Sequence, residues 1–295
     1  MKTLVIGATN IDVIGSSYNN IIDKESNVGD ITISLGGVAK NIATNLLYLG
    51  EEVAFLTLIG NDNFSLLQRS EFDKLNLDIS HSFIKSTKSN IYLAIHDSNG
   101  DLITGINDMS SFESLKMSDF YPLDDYIRSF DVLVFDTNLN EKTLNYLITQ
   151  YKDKTIYVDG VSQTKVLRIK NVLPYIDLLK INDYELNALL NINNCDIIKD
   201  IKKVLKLGVK NCVVSLSSKP IVYNDGNEIY QSEIQKVKEI KSTMGAGDAL
   251  LAGILFYLNN NKNIHEAVNF GKRVAGKTLE VYESCNNLIK ELIIL

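Results

Sequence analysis

The stretch STMGAGDALLAG, residues 242–253, sets one carboxylate, Asp248, between a run of small residues and an apolar helix. Gly245, Ala246 and Gly247 carry almost no side chain, so a ligand can approach their amides closely. A helix beginning near Gly247 adds unpaired N–H groups and the positive end of its dipole. Such an anion hole suits the charge that develops on a phosphoryl group in transfer. Asp248 at its edge can then take the proton of an attacking alcohol. The competing reading is a helix cap, a role worth about 0.5–2 kcal/mol.

A second glycine motif, GGVAKNIATNLLYLG at 36–50, tips the balance toward chemistry. Gly36 and Gly37 allow a ligand close to the backbone and lead into a helix whose first turn presents Asn41. Ala43, Leu46, Leu47 and Leu49 form the buried face of that helix. Asn41 has no packing role there, so its amide is read as free to bond a hydroxyl.

These motifs need a rigid frame. TLVIGA (3–8), VAFLTLIG (53–60), DVLVFDTN (131–138), TIYVDGV (155–161), LLKIND (178–183) and NCVVSL (211–216) are apolar runs of strand length. Helices are expected at 38–49, 183–190, 196–207, 247–259, 264–280 and 286–294, and IVYN (221–224) with EIYQ (228–231) flank DG as a hairpin. Strand–helix alternation implies a mainly parallel sheet covered on both faces, with ligands beyond the carboxyl ends of its strands. Asn10, Asp12, Asp136, Asn138, Asp159 and Asn182 fall at such ends. ITISL, IYLAIHD and LITGI, within parts of 13–35 and 90–107, alternate instead, and are read as antiparallel strands inserted into the chain.

Together the two motifs resemble both signatures of the ribokinase-like (PfkB) carbohydrate kinase family. Gly36, Gly37, Ala39, Asn41, Ala43, Gly50 and Gly60 match the upstream signature, and Ser242 through Gly253 the downstream one. The resemblance spans essentially the whole chain. It implies one α/β domain over 1–295, a three-layer sandwich with a mainly parallel central sheet and a small β-lid that closes over substrate. It implies an ATP-dependent kinase for an alcohol of a sugar or nucleoside, with Asp248 as general base and Gly245, Ala246 and Gly247 as anion hole. Asn10, Asp12, Gly36, Gly37 and Asn41 would hold sugar hydroxyls, with Asp136 and Asn138 beside them. KINDYE (180–185) resembles the family's NxxE element, in which Asn182 and Glu185 organise Mg2+ near the phosphates. A monovalent cation (K+) and a homodimer through the lid belong to the same expectation.

Within the family, ATNIDVIG, INDM (106–109) and DGVS (159–162) are similar to segments of bacterial pseudouridine kinases. Asn107 and Asp108 would then face a uracil, whose N–H and C=O edges their side chains match, unless IND is only a turn. Ribose, fructose or adenosine is the alternative acceptor. One segment departs from the family pattern. SLSSKPIVY (215–223) stands where relatives carry a glycine-rich loop near the nucleotide, a place that assigns Ser215, Ser217 and Lys219 to the cofactor. Pro220 there fixes φ and offers no N–H. Lys219 either bonds a phosphate or is a solvated turn residue. The change leaves open a non-catalytic sensor on the same fold.

Composition sets outer bounds. The chain of 295 residues is 45% hydrophobic and 22% charged, with a net charge of −6, which argues against nucleic acid as a partner. The opening MKTLVIGATNID is too short in apolar run for a signal peptide, and no apolar stretch approaches membrane-spanning length. Cys195, Cys212 and Cys285 show no CxxC spacing, and His81, His96 and His265 no ligand pairing with them. A cytoplasmic location with reduced cysteines is expected.

Overall fold

The computed structural model describes residues 1–85, 87–193 and 196–293. Cys195 and Ile294 therefore lie outside the described residues. The strands, in chain order, are β1 (Thr3–Ile6), β2 (Asn10–Ser17), β3 (Gly29–Gly36), β4 (Val53–Leu56), β5 (Leu58–Ile59), β6 (Phe83–Ile84), β7 (Ile91–His96), β8 (Leu102–Asp108), β9 (Val132–Asp136), β10 (Thr155–Asp159), β11 (Leu178–Asn182), β12 (Asn211–Leu216), β13 (Lys219–Asn224) and β14 (Ile229–Ser232).

Eight of them form one sheet in the order β14-β13-β12-β11-β10-β9-β1-β4. From β12 to β4 every pairing is parallel, and β13 and β14 add an antiparallel edge. The central strands are apolar along most of their length because both faces are covered, with polar residues gathered mainly toward their ends. Leu4, Ile6, Leu133, Phe135, Leu179 and Ile181 point into one core with Leu144, Leu147, Leu186 and Val204 of the helices on that side. Val5, Val132, Val134, Leu178 and Val213 point into the other. There they meet Ile42 and Leu46 of helix Val38–Tyr48, Leu251 and Ile254 of helix Ala246–Asn259, and Val268 of helix Ile264–Thr278. The ribokinase-like three-layer sandwich expected from the sequence is the observed architecture.

The alternating segments form a separate four-stranded sheet, β3-β2-β7-β8. Two details differ from the sequence reading. The β2–β7 pairing is parallel, although β2–β3 and β7–β8 are antiparallel. β2 also starts at Asn10, so Asn10 and Asp12 belong to this second sheet and not to the end of a central strand. The chain leaves the central sheet after Ile6, and Asn10 then pairs with Gly36. At the other end of the chain, Asn287–Ile293 is a 3-10 helix where an α-helix was expected.

Candidate functional site

Asp248 does not cap its own helix. The N-cap of helix Ala246–Asn259 is Gly245, in the left-handed region at φ 74°, and no side chain bonds the helix entry. An L side chain at Gly245 would be strained and would also collide with the Ser284 carbonyl, 2.0 Å from where its Cβ would stand. The amides of Gly247 and Asp248 have no acceptor among the described residues. Helix entry and dipole thus leave a ready anion site.

The Asp248 carboxylate is buried, and its Oδ2 accepts a 2.8 Å bond from Asn41 Nδ2, on helix Val38–Tyr48. Asn41 is therefore not free, as the sequence alone suggested. Its Oδ1 accepts from Ser284 Oγ at 2.9 Å and from Lys40 Nζ at 3.4 Å, and its backbone carbonyl from Asn45 Nδ2 at 2.9 Å. Burial and then the Asp159 charge push the Asp248 carboxyl up to about 7, against the opposing pull of Lys180 and Asn41.

Lys180 is the residue the sequence reading passed over. Its Nζ lies 3.0 Å from Asp159 Oδ2 and 2.9 Å from where a side chain on Gly247 would begin. Burial alone would lower this ammonium, but Asp159, Glu185 and Asp248 outweigh it and hold it above the usual lysine range. A lysine inside the apolar run LLKIN carries no distinguishing local signal. Only the adjacency of β10 and β11 places it among three carboxylates.

Asn182 caps helix Asp183–Leu190, and Glu185 completes the capping box: the Glu185 amide donates to Asn182 Oδ1 at 2.8 Å, and the Asn182 amide to Glu185 Oε2 at 3.0 Å. Burial and Asp159 raise the Glu185 carboxyl to about 7. Asp159, Glu185 and Asp248 thus surround a single buried ammonium, and a further cation nearby would favour the ionised forms of Glu185 and Asp248. Among the described residues no group of three or more His, Cys, Asp or Glu is placed to hold a metal ion by itself. Mg2+ does not require one, since it binds through one or two carboxylates, waters and substrate phosphates. Asn182 and Glu185 fit that role.

A cleft of about 320 Å³ opens beside the helix entry. Ser215, Leu216, Ser217 and Ser218 line it from the end of β12 and the turn after it, Ile234 and Ile240 from the segment after β14, and Lys272, Ala275, Gly276 and Leu279 from helix Ile264–Thr278 and its end. Gly247 reaches into it, so it runs to the anion site. Ser215 and Ser217, which the family resemblance gives to the cofactor, line this cleft, whereas Lys219 is outside the lining, exposed, and opens β13 paired with Leu216. A tight turn with Ser217 at φ 54° replaces the glycine-rich loop.

On the other side, Asn10 Nδ2 donates to Asp12 Oδ1 at 2.5 Å. Burial lifts the Asp12 carboxyl to about 6 despite Asn10 and Lys40. A Cβ on Gly36 would stand 1.9 Å from Asp12 Oδ2, which explains that glycine. Asp136 is fully buried at the end of β9, accepts from the Ala8 amide at 3.0 Å and from Asn138 Nδ2 at 2.7 Å, and is raised by burial. Asn107 and Asp108 separate. Register places Ser34, Asp12, Tyr92 and Asn107 in one row across the second sheet. Successive strand residues face opposite ways, so Asp108 belongs to the other face. There Lys88 and Ser110 bond it and hold its carboxyl down at about 2.

A covered parallel sheet, an anion site at a helix entry and a nucleotide-sized cleft beside a buried carboxylate define an ATP-dependent phosphotransferase acting on an alcohol. The chain belongs to the pfkB family of carbohydrate kinases, whose family model matches residues 2–291. It is 28% identical to the pseudouridine kinase of Escherichia coli over 96% of this chain and 92% of that one. It is also 28% identical to a guanosine-inosine kinase of Exiguobacterium acetylicum, over 99% and 98%. A solved carbohydrate kinase from Agrobacterium tumefaciens superposes with a TM-score of 0.86 at 25% identity, over 100% of this chain and 97% of that one.

Proposed function

We propose that this kinase phosphorylates the 5′-hydroxyl of a nucleoside, pseudouridine foremost, with Asp248 as the general base. The observation that carries this reading is that Asp248 caps nothing, is gripped by Asn41, and stands beside the two unpaired amides of Gly247 and Asp248. The acceptor hydroxyl gives its proton to the Asp248 carboxylate while its oxygen bonds the γ-phosphorus. The bond from that phosphorus to the β–γ bridging oxygen breaks, and ADP leaves. The amides of Gly247 and Asp248, with the Lys180 ammonium, offset charge on the transferring group. Mg2+ held near Asn182 and Glu185 would neutralise phosphate charge. A carboxyl raised to about 7 is matched to proton transfer near neutral pH.

The ribose falls to Asn10, Asp12, Gly36, Gly37 and Asn41, and the second sheet is the lid that closes over it. Asn107, in the Asp12 row, faces the substrate side, and Asp108 is a structural residue of the β8 end. The outward face supports a homodimer through the lid: Val13, Ile33, Leu93 and Ile106 share one row, with Ile33 51% and Ile106 65% exposed.

Pseudouridine, guanosine and inosine, the substrates in the names of the two relatives, all carry ring carbonyls, which favours an oxo-base nucleoside over a free sugar. ATP consumption against pseudouridine, inosine, guanosine, adenosine, ribose and fructose tests this. Pseudouridine should give the highest kcat/KM. Higher efficiency with ribose or fructose would overturn the nucleoside reading, and substrate binding without any turnover would instead indicate a sensor.

A further inference from the structure

The phosphoryl chemistry leaves Lys165 unused. This side chain is only 9% exposed, and its Nζ donates to Asn138 Oδ1 at 2.6 Å. An ammonium has three donors, and no second acceptor is bonded among the described residues. The Asp136 charge attracts this ammonium, but only across Asn138, which stands between the two. That carboxylate is already met by the Ala8 amide, the Asn138 amide and Asn138 Nδ2, and it makes no direct ion pair with Lys165. Burial pulls the ammonium below the usual lysine range, so its environment favours a further acceptor.

The surroundings are held by several hydrogen bonds. Arg168 donates to the carbonyls of Thr137, Asn138 and Leu139 at 2.9–3.1 Å and pairs with Glu113 at 2.7 Å. Asn140 bonds the carbonyls of Glu113 and Leu115. The segment directly after the Asn107 end of β8 is thus tied to the 137–140 loop. Along the rim, the nucleotide cleft stands at β12, Lys180 and Asp159 at β11 and β10, and Asn138 just beyond β9. With ATP in the cleft, in-line transfer at Asp248 would put the acceptor on the side of the rim away from β12, where β9 and Asn138 stand.

We propose that Lys165, oriented by Asn138, donates a hydrogen bond to a carbonyl oxygen of the acceptor's nucleobase, and so selects oxo bases over an amino purine. The inference rests on the nucleoside reading above and deepens it. Lysine has no acceptor, so it complements the 6-oxo group of inosine or a uracil carbonyl and finds no partner in the 6-amino group of adenosine.

The test is steady-state kinetics of Lys165→Met with pseudouridine, inosine and adenosine, alongside the melting temperature. Loss of a bond from a charged donor should raise KM for the best oxo-base nucleoside by about tenfold or more. KM for ATP, KM for adenosine and kcat should each stay within about threefold, since no such bond is lost to them. Lys165→Gln keeps a donor toward Asn138 without the charge, and should show the same shift in smaller measure. It also serves if the methionine variant does not fold. Unchanged KM for oxo-base nucleosides in a folded variant, or a parallel rise in KM for ATP, overturns the inference. Wild-type turnover of free sugars alone would instead overturn the nucleoside reading, and this inference with it.

Discussion

Asn41 Nδ2 and Asp248 Oδ2 lie 2.8 Å apart, joining the two glycine motifs through their first helical turns. The bond favours the ionised carboxylate, so its loss must raise the Asp248 carboxyl further. Asn41→Leu is expected to move the acid limb of the kcat profile to higher pH, with activity lost at pH 7 and partly regained at pH 9. A pH profile measured under saturating ATP checks this, and a uniform loss at all pH values would place Asn41 on substrate alone.

Lys180 is expected to be both structural and chemical, and one pair of variants separates the two. Lys180→Met leaves Asp159 buried without its partner, a cost of about 3–5 kcal/mol. It also removes a cation beside the anion site, which should lower kcat by about a hundredfold or more. Adding Asp159→Asn should restore most of the melting temperature and none of the kcat. Recovery of both would leave Lys180 a purely structural residue.

How much of this was legible beforehand follows from locality. The glycines, Asp248, Asn41 and the strand-end carboxylates sit in contiguous motifs, so residue order reveals them. Lys180, Lys165 and Ser284 acquire roles only when distant strands or the chain's end fold against them, and a lone lysine in an apolar run gives no sign of that. Asn10 and Asp12 were found but put in the wrong sheet, because a strand break at Gly7–Thr9 looks like a strand end. The Asn107–Asp108 pair was divided by strand alternation once the β7–β8 register was known.

Stability should fall as pH rises from 5 to 7.5. Asp12, Glu185 and Asp248 are raised by burial to about 6, 7 and 7, so the folded chain holds protons that the unfolded chain has released. A carboxyl raised in the folded state contributes stability that is full below its unfolded value near 4 and lost through its folded value. Carboxyls held low, such as Asp108 at about 2, are ionised in both states across this window and add no slope. Melting temperatures of the free protein at pH 5 and 7.5 check the sign, and Asp248→Asn should shrink the difference.

The lid face gives a prediction about assembly. Ile33→Lys with Ile106→Glu puts charges into the apolar rows that pair across β3, β2, β7 and β8. Light scattering should report a dimer for the wild type and a monomer for the double variant, whose protomer should still fold because both positions are exposed within one chain. A dimer that survives the charges would move the contact elsewhere.

Asp248→Asn, assayed at saturating nucleoside and ATP, bears most directly on Asp248 as the base. Asparagine keeps the shape beside Asn41 and removes the proton acceptor, at a position where the helix draws no cap from the side chain. The melting temperature at pH 7.5 should stay within a few degrees, or rise slightly, because a buried charge is gone. Nucleoside and ATP should still bind, while kcat falls by about a hundredfold or more, the scale of a lost general base. A folded Asp248→Asn enzyme that retained more than about a tenth of wild-type kcat, far above that scale, would contradict the assignment of Asp248 as the base.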